Sequence, residues 1–279
     1  MKIISWNVQW CRGVDGRVDP ARIVRVTREL GDADVICYQE VARNFPGLKG
    51  SSGENQFRVL ADAFPDYAPF EGIAVDVADD RGGRRQFGNL LLSRMPVARV
   101  FRHLLPWPAS REHADMPRVA IEADLASGIR VTTTHLAYYS RSQRAAQVEA
   151  LRELHSHASG HARSPERPDH ANGPFRWAAR PGPALVLGDF NCEPHSSDHS
   201  RMLADFDVPV APFRDAWALA HAGVPHAPSV GVFDREQWPN PFCCDYAFVS
   251  SDIGHRLSEC EVDQRSDASD HQAIILTLD

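Results

Sequence analysis

Lysine is almost missing from this chain of 279 residues: only Lys2 and Lys49 occur, and arginine supplies the rest of its 30 basic residues. Acidic residues number 37 and leave a net charge of −7. That balance speaks against a general polyanion-binding surface, although a local basic patch can coexist with it. Arginine suits bidentate phosphate contacts, but a bias spread along the whole chain carries little weight for any one site. No run of about 18 apolar residues is present, so no membrane span is expected. Met1-Lys2-Ile3-Ile4-Ser5-Trp6-Asn7 enters a strand directly, without the basic segment and apolar stretch of a secretory leader, and cytoplasm is the expected location. Cys11, Cys37, Cys192, Cys243, Cys244 and Cys260 show no paired spacing of the zinc or redox kind and read as reduced and structural. Neither a repeat of roughly 20 to 50 residues nor a linker between compact halves is visible. The expectation is one domain over residues 1–279, monomeric, with no protein partner implied.

What is present alternates between strand and helix signals. Lys2 to Trp6 reads as a strand delivering Asn7, and Gln9 to Val18 as a loop. Asp19 as N-cap and Pro20 as first helical residue open a helix that Gly31 closes. Asp34 to Glu40 reads as a second strand delivering a polar residue at its end, and Phe57 to Phe64 as a second helix. Gly72–Val77, Asn89–Ser93, Ala98–Leu104, Val119–Leu125 and Ile129–His135 predict a meandering, largely antiparallel sheet. Arg141–His157 predicts a third helix. Residues 160–183 are polar, rich in His and Pro and without periodicity; they read as a mobile insertion or a lid over a site, and their histidines lack ligand spacing. Ser200–Phe206 and Phe213–Ala222 read as helical, 224 to 242 as a long loop, and Asp245–Ser250 and Gln272–Leu278 as strands joined by a connector.

The densest chemistry stands at Ala184-Leu185-Val186-Leu187-Gly188-Asp189-Phe190-Asn191. Four apolar residues predict a buried strand that Gly188 ends. The spacing of two places the Asp189 carboxylate and the Asn191 carboxamide on one face of an extended chain. Such a pair can hold a water molecule or a metal-bound phosphate, since the carboxylate accepts a proton and the amide donates to oxygen. Further polar residues stand at strand ends: Asn7, Glu40, Asn89, His135, Asp245, Asp270 and His271. Glu40 and Asp270 with amide oxygens nearby form a hard-oxygen set that favours Mg²⁺ or Mn²⁺ over zinc. The two histidines can position or stabilise an anion, and Asp245 can hold one of them in the required tautomer. The inventory fits metal-assisted hydrolysis of a phosphate ester.

Taken in order, Trp6-Asn7, Gln39-Glu40, Gly88-Asn89 with Leu92-Ser93-Arg94, Thr134-His135-Leu136, Gly188-Asp189-Phe190-Asn191, Asp245-Tyr246 and Ser269-Asp270-His271 resemble the endonuclease/exonuclease/phosphatase superfamily, over residues 3 to 278. The resemblance implies a four-layered α/β sandwich, two mixed β-sheets face to face with helices outside. It implies Glu40 as principal metal ligand with Asn7 and Asp270 near the same Mg²⁺ or Mn²⁺. Asp189 would orient or deprotonate the attacking water, and Asn191 and Asn89 would hold phosphate oxygens. His271, paired with Asp245, would contact the scissile phosphate. His135 matches a second histidine of the deoxyribonuclease and sphingomyelinase branches, which leans the chain away from the abasic-site endonucleases.

Substrate preference lies in loops. Gln9–Val18, Pro106–Pro117 and Pro228–Phe242 carry Trp10, Arg12, Trp107, Arg111, Phe233, Arg235 and Trp238. Aromatics interleaved with arginines suit stacking on nucleic-acid bases, contact with a membrane surface to reach a lipid headgroup, or packing under their own loops. The expected activity is a phosphodiesterase, with nucleic acid ahead of a lipid headgroup or small phosphorylated metabolite. A binding protein that keeps the fold without turnover is the alternative of another class.

Overall fold

The computed structural model describes residues 1–80, 82–110, 114–164 and 180–279. Strands β1 (Lys2–Asn7) and β2 (Val35–Arg43) run parallel, with helix α1 (Pro20–Glu29) as their crossover. Asp19 caps α1, its Oδ1 accepting from Arg22 N at 3.1 Å, a contact worth about 1 kcal/mol. Helix α2 (Gln56–Asp62) leads to β3 (Ala68–Ala78) and β4 (Arg84–Ser93), an antiparallel pair beside β2. The chain then crosses to a second sheet. There β5 (Val97–Leu104), β6 (Val119–Leu125) and β7 (Arg130–His135) form an antiparallel meander. Helix α3 (Arg141–Arg163) crosses over to β8 (Ala184–Asp189), parallel to β7. Helix α4 (Ser197–Leu203), edge strand β9 (Phe213–Asp215), helix α5 (Ala216–Ala220) and β10 (Asp245–Ser250) complete that half. β11 (Leu257–Val262) and β12 (Ile274–Leu278) return to the first sheet.

Two six-stranded mixed sheets result, ordered β11-β12-β1-β2-β4-β3 and β5-β6-β7-β8-β10-β9. Alternation along each strand sorts its residues into layers. Ile3, Val35, Cys37 and Leu91 meet Ile121, Val131, Leu185 and Leu187 between the sheets. Ile4, Ile36, Tyr38 and Leu90 face outward onto Ile23, Val26, Phe57 and Leu60 of α1 and α2. Val186 and Phe248 likewise face Val148, Leu151 and Met202 of α3 and α4. This is the expected four-layered sandwich with helices outside. Among the described residues no helix is long and apolar enough to cross a membrane, and all six cysteines are buried and unpaired.

Several local expectations change. The strand run from Gly72 to His135 is not one meander, because β4 and β5 belong to different sheets. Phe213–Asp215 is a strand rather than helix, paired with β10, and the connector before the last strand contains β11. Of residues 160–183, those numbered 165–179 lie outside the described residues, as do Arg111 and His170. The flanks of that segment are built in. α3 runs on to Arg163, and Arg180 is buried between Glu122 and Asp124 at 2.8 and 3.2 Å. His155, a residue without ligand spacing in the sequence, accepts at Nδ1 from Arg130 (2.7 Å) and donates from Nε2 to Ala211 O (2.8 Å).

Candidate active site

Both parallel pairs end on the same rim, and the antiparallel neighbours β10 and β12 start there. β1 ends at Asn7, β7 at His135 and β8 at Asp189; His135 and Asp245 are the register partners of Asp189 on either side. Gly188 does not end its strand. It pairs across with Tyr246, and its φ of +141° and a would-be Cβ 1.9 Å from Thr134 O explain why only glycine fits. β2 does not stop at Glu40 either. The β2–β4 register shifts between Tyr38 and Val41, and Glu40 sits in this bulge at φ 60°. A bulge re-aims a side chain that regular pleating would direct elsewhere.

Asp189 stands at the centre. Its Oδ2 accepts from Asn7 Nδ2 at 3.0 Å and lies 3.3 Å from His135 Nε2 and 3.8 Å from His271 Nε2. Its Oδ1 accepts from the backbone N of Asn191 at 2.9 Å. Asn7 Nδ2 also donates to Glu40 Oε1 at 3.2 Å, while its Oδ1 accepts from Gln9 N at 3.0 Å. That second contact fixes which way the amide faces: Asn7 turns its nitrogen, not its oxygen, to the two carboxylates. His135 Nδ1 lies 3.7 Å from Glu40 Oε1. Across the rim His271 Nδ1 donates to Asp245 Oδ2 at 2.8 Å, and Ser229 Oγ donates to the same oxygen at 2.7 Å. Asp270 Oδ2 accepts from Gln9 Nε2 at 2.7 Å.

The two asparagines read as phosphate holders are engaged with the backbone. Asn89 Nδ2 donates to Val119 O at 2.9 Å, joining the sheets, and no hydrogen bond ties it to the carboxylates among the described residues. Asn191 lies at φ 52°, outside extended geometry, so the same-face argument fails; its Nδ2 donates to Leu136 O at 2.9 Å.

Burial and mutual repulsion shape the charges. Burial, with Asp270 close by, pushes the Glu40 carboxyl up to about 7, against the pull of His271 and Asn7. Burial and the Asp245 charge push Asp189 upward as well. The histidines split. Burial, reinforced by the Arg118 and His271 charges, holds His135 well below the usual imidazole range and therefore neutral. Burial also opposes protonation of His271, but Asp245, Asp189 and Asp270 override it and hold this imidazole well above that range. Two imidazoles on one carboxylate thus have opposite charge states at neutral pH, a pattern that suits division of proton roles.

Arg118, just before β6, gave no signal in the sequence beyond being one arginine among many. It is 8% exposed, and its Nε and Nη1 are buried without a hydrogen-bond partner among the described residues. Burial lowers its guanidinium, and the charges of Glu40 and Asp189 raise it again. A buried cation with unpaired donors and two carboxylates nearby is a candidate anion grip.

The donor set fits a hard divalent cation in chemistry: Glu40 is a half-buried carboxylate, Asp270 a buried one, and the Asp270 charge raises the cost of ionising Glu40, which a bound cation would relieve. Two other sets have their ligand atoms within 4.8 Å of one another, His199–Asp215–His226 and Cys244–Asp245–His271. In the first, His199 Nδ1 accepts from His195 N at 3.3 Å, so Nε2 carries the proton and donates to Asp215 Oδ2 at 2.8 Å. His226 meets the same oxygen at 2.7 Å while Asp215 Oδ1 caps α5. That set is a satisfied hydrogen-bond network. In the second, Asp245 orients His271, and burial with the Asp245 charge raises the Cys244 thiol.

No curated protein sequence matches the chain. Solved structures do. An endonuclease/exonuclease/phosphatase from Beutenbergia cavernae DSM 12333 superposes with a TM-score of 0.66 at 22% identity, over 99% of this chain and 70% of that one. The catalytic domain of human Nocturnin with bound sulfate gives 0.61 at 15%, over 99% and 92%. A 3'-5' exonuclease from Neisseria meningitidis gives 0.60 at 17%, over 100% of both chains. These likenesses concern the fold. Residues 4–271 match the model of the Endonuclease/Exonuclease/phosphatase family, and the chain belongs to that family of metal-dependent phosphoesterases.

Proposed function

We propose that the protein hydrolyses phosphodiesters by in-line attack of water on phosphorus, with Mg²⁺ or Mn²⁺ as cofactor. The observation that carries this reading is the position of Asp189, a buried carboxylate within 3.8 Å of a neutral and a protonated imidazole on one strand-end rim. Glu40 and Asp270 are the groups that would hold the cation, with Asn7 beside them. A bound divalent cation supplies neutralisation of charge developing on phosphate oxygens.

The protein's own residues supply the rest. Asp189, raised by burial, accepts the proton of the attacking water. Asn7 holds Asp189 and Glu40 at fixed separation through one amide nitrogen. His271, anchored by Asp245 and Ser229, presents a charged Nε2–H to the phosphate. His135, neutral and 5% exposed, flanks the phosphate beside Asp189. Arg118 brings the unpaired donor nitrogens Nε and Nη1 to the non-bridging oxygens. Nucleic acid stands ahead of lipid headgroups or small metabolites as substrate: the Neisseria relative is an exonuclease, and Tyr138 and Tyr139 are exposed beside the site. Its location is proposed as cytoplasmic and its state as a monomeric single domain.

The test is hydrolysis of bis-p-nitrophenyl phosphate with and without chelator, in wild type and Asp189→Asn. We expect Mg²⁺- or Mn²⁺-dependent turnover that the substitution lowers by at least about 10²-fold. Turnover that survives both chelation and the substitution refutes the proposal. A panel of plasmid, single-stranded DNA, RNA, sphingomyelin and sugar phosphates then ranks substrates.

A further inference from the structure

Asp270 carries a dense donor array on the rim. Its Oδ2 receives three N–H groups from chain segments far apart in sequence: Gln9 Nε2 at 2.7 Å, Gln237 Nε2 at 3.1 Å and Trp238 Nε1 at 3.1 Å. Three donors saturate one carboxylate oxygen. Among the described residues, Oδ1 meets only the neighbouring Ser269 hydroxyl, at 3.3 Å. The carboxylate is therefore held by one oxygen while the other stays available. All three donors are neutral, so they fix its orientation without competing as counter-charges, as an arginine would.

The donors are themselves held. Arg12 Nη1 donates to Gln9 Oε1 at 3.2 Å, and Gln9, Trp10 and Cys11 all lie at positive φ (45°, 42° and 61°), a turn that costs about 1 kcal/mol or more per residue. The loop bearing Gln237 and Trp238 is pinned along the Asp270 segment by Gly231 N to Asp270 O (3.0 Å) and Gln272 N to Ser229 O (2.6 Å). At Gly231, φ 72°, a Cβ would fall 2.6 Å from Trp238 Cβ, so the glycine admits the ring. The indole then packs edge-on against Tyr138 and Phe242, each with ring centroids 5.8 Å away. Tyr138, Phe242, Arg141 and Asn191 line a cleft beside the site.

Resting on the proposed cation-dependent hydrolysis, we propose that Gln237 and Trp238 are positioning residues. They hold Asp270 so that a single oxygen serves the cation, and they tie cation affinity to the aromatic wall of the substrate cleft. A surface loop otherwise assigned to substrate preference thereby also sets the metal site.

The test titrates Mn²⁺ into the full chain without substrate, read by calorimetry and by the electron-spin signal of free Mn²⁺. Trp238→Phe keeps the ring and loses the N–H; Gln237→Ala, at an exposed position, removes a donor with little risk to folding. Each is expected to weaken Mn²⁺ binding about tenfold. In bis-p-nitrophenyl phosphate hydrolysis, saturating Mn²⁺ should restore most of kcat for both. Tyr138→Ala, which has no polar contact with Asp270, should weaken Mn²⁺ binding by a smaller factor by loosening the indole. A wild-type Mn²⁺ site with affinity unchanged within about twofold in Gln237→Ala and Trp238→Phe overturns the positioning role alone. A wild-type chain with no Mn²⁺ site overturns the cation-dependent function as well.

Discussion

Arg118→Met should move activity and stability in different directions, because the guanidinium is poorly accommodated by the fold. Its Nε and Nη1 are buried without hydrogen-bond partners among the described residues, and an unsatisfied buried donor costs about 1–3 kcal/mol. Against that stands the attraction of Glu40 and Asp189, which pulls the guanidinium back toward its charged state. Methionine fills a similar volume without a donor or a charge, so the relief of two donors offsets the loss of that attraction. We expect stability from urea denaturation to be unchanged or raised by up to about 2 kcal/mol. Truncating one partner of an ordinary buried ion pair instead costs about 3–5 kcal/mol. Over the same substitution kcat/KM for bis-p-nitrophenyl phosphate at saturating Mg²⁺ should fall by about 10²–10³, the usual loss for one preorganised donor to a developing anion. A variant that unfolds several kcal/mol more easily while keeping wild-type kcat/KM would show that Arg118 is structural and refute the reasoning.

Glu40→Ala should abolish turnover at low Mg²⁺, with partial recovery at high Mg²⁺ because Asp270 remains; equal activity without added metal contradicts its assignment. His155 gives a pH signature away from the site. Burial lowers it from the usual 6.5 to about 4, and its Nδ1 accepts from Arg130, so it is folded in its neutral form. The unfolded chain takes up that proton first, so stability is full above about pH 6.5 and falls toward pH 4, by up to about 3 kcal/mol. The urea-midpoint gap between wild type and His155→Gln should shrink across that window; a pH-independent gap excludes this account.

Some features were legible because the chemistry is written in short local strings. Asp19-Pro20 announced a helix start, and the Asp19 cap is made. Ser269-Asp270-His271 and Gly188-Asp189 announced polar groups at strand ends, and the rim brings Asp189, His135, His271 and Asp245 together. The failures have physical causes. Phe213–Asp215 is too short for its period to separate strand from helix. Asn191 follows the strand in left-handed geometry, so period-2 facing no longer applied. Arg118 resembled any other arginine until folding stripped it of partners.

The sequence by itself therefore determined which reactive groups exist, their order along the chain and the family pattern they spell. It could not show the two sheets, because strands such as Val35–Cys37 and Ala184–Leu187 are buried on both faces and carry no alternation to mark a side. Charge states and clamps were also decided in three dimensions. His135 is neutral and His271 charged because of neighbours far away in sequence, and Asp270 is gripped by residues at positions 9, 237 and 238. Burial and convergence are properties of the packed chain, and no window of sequence contains them.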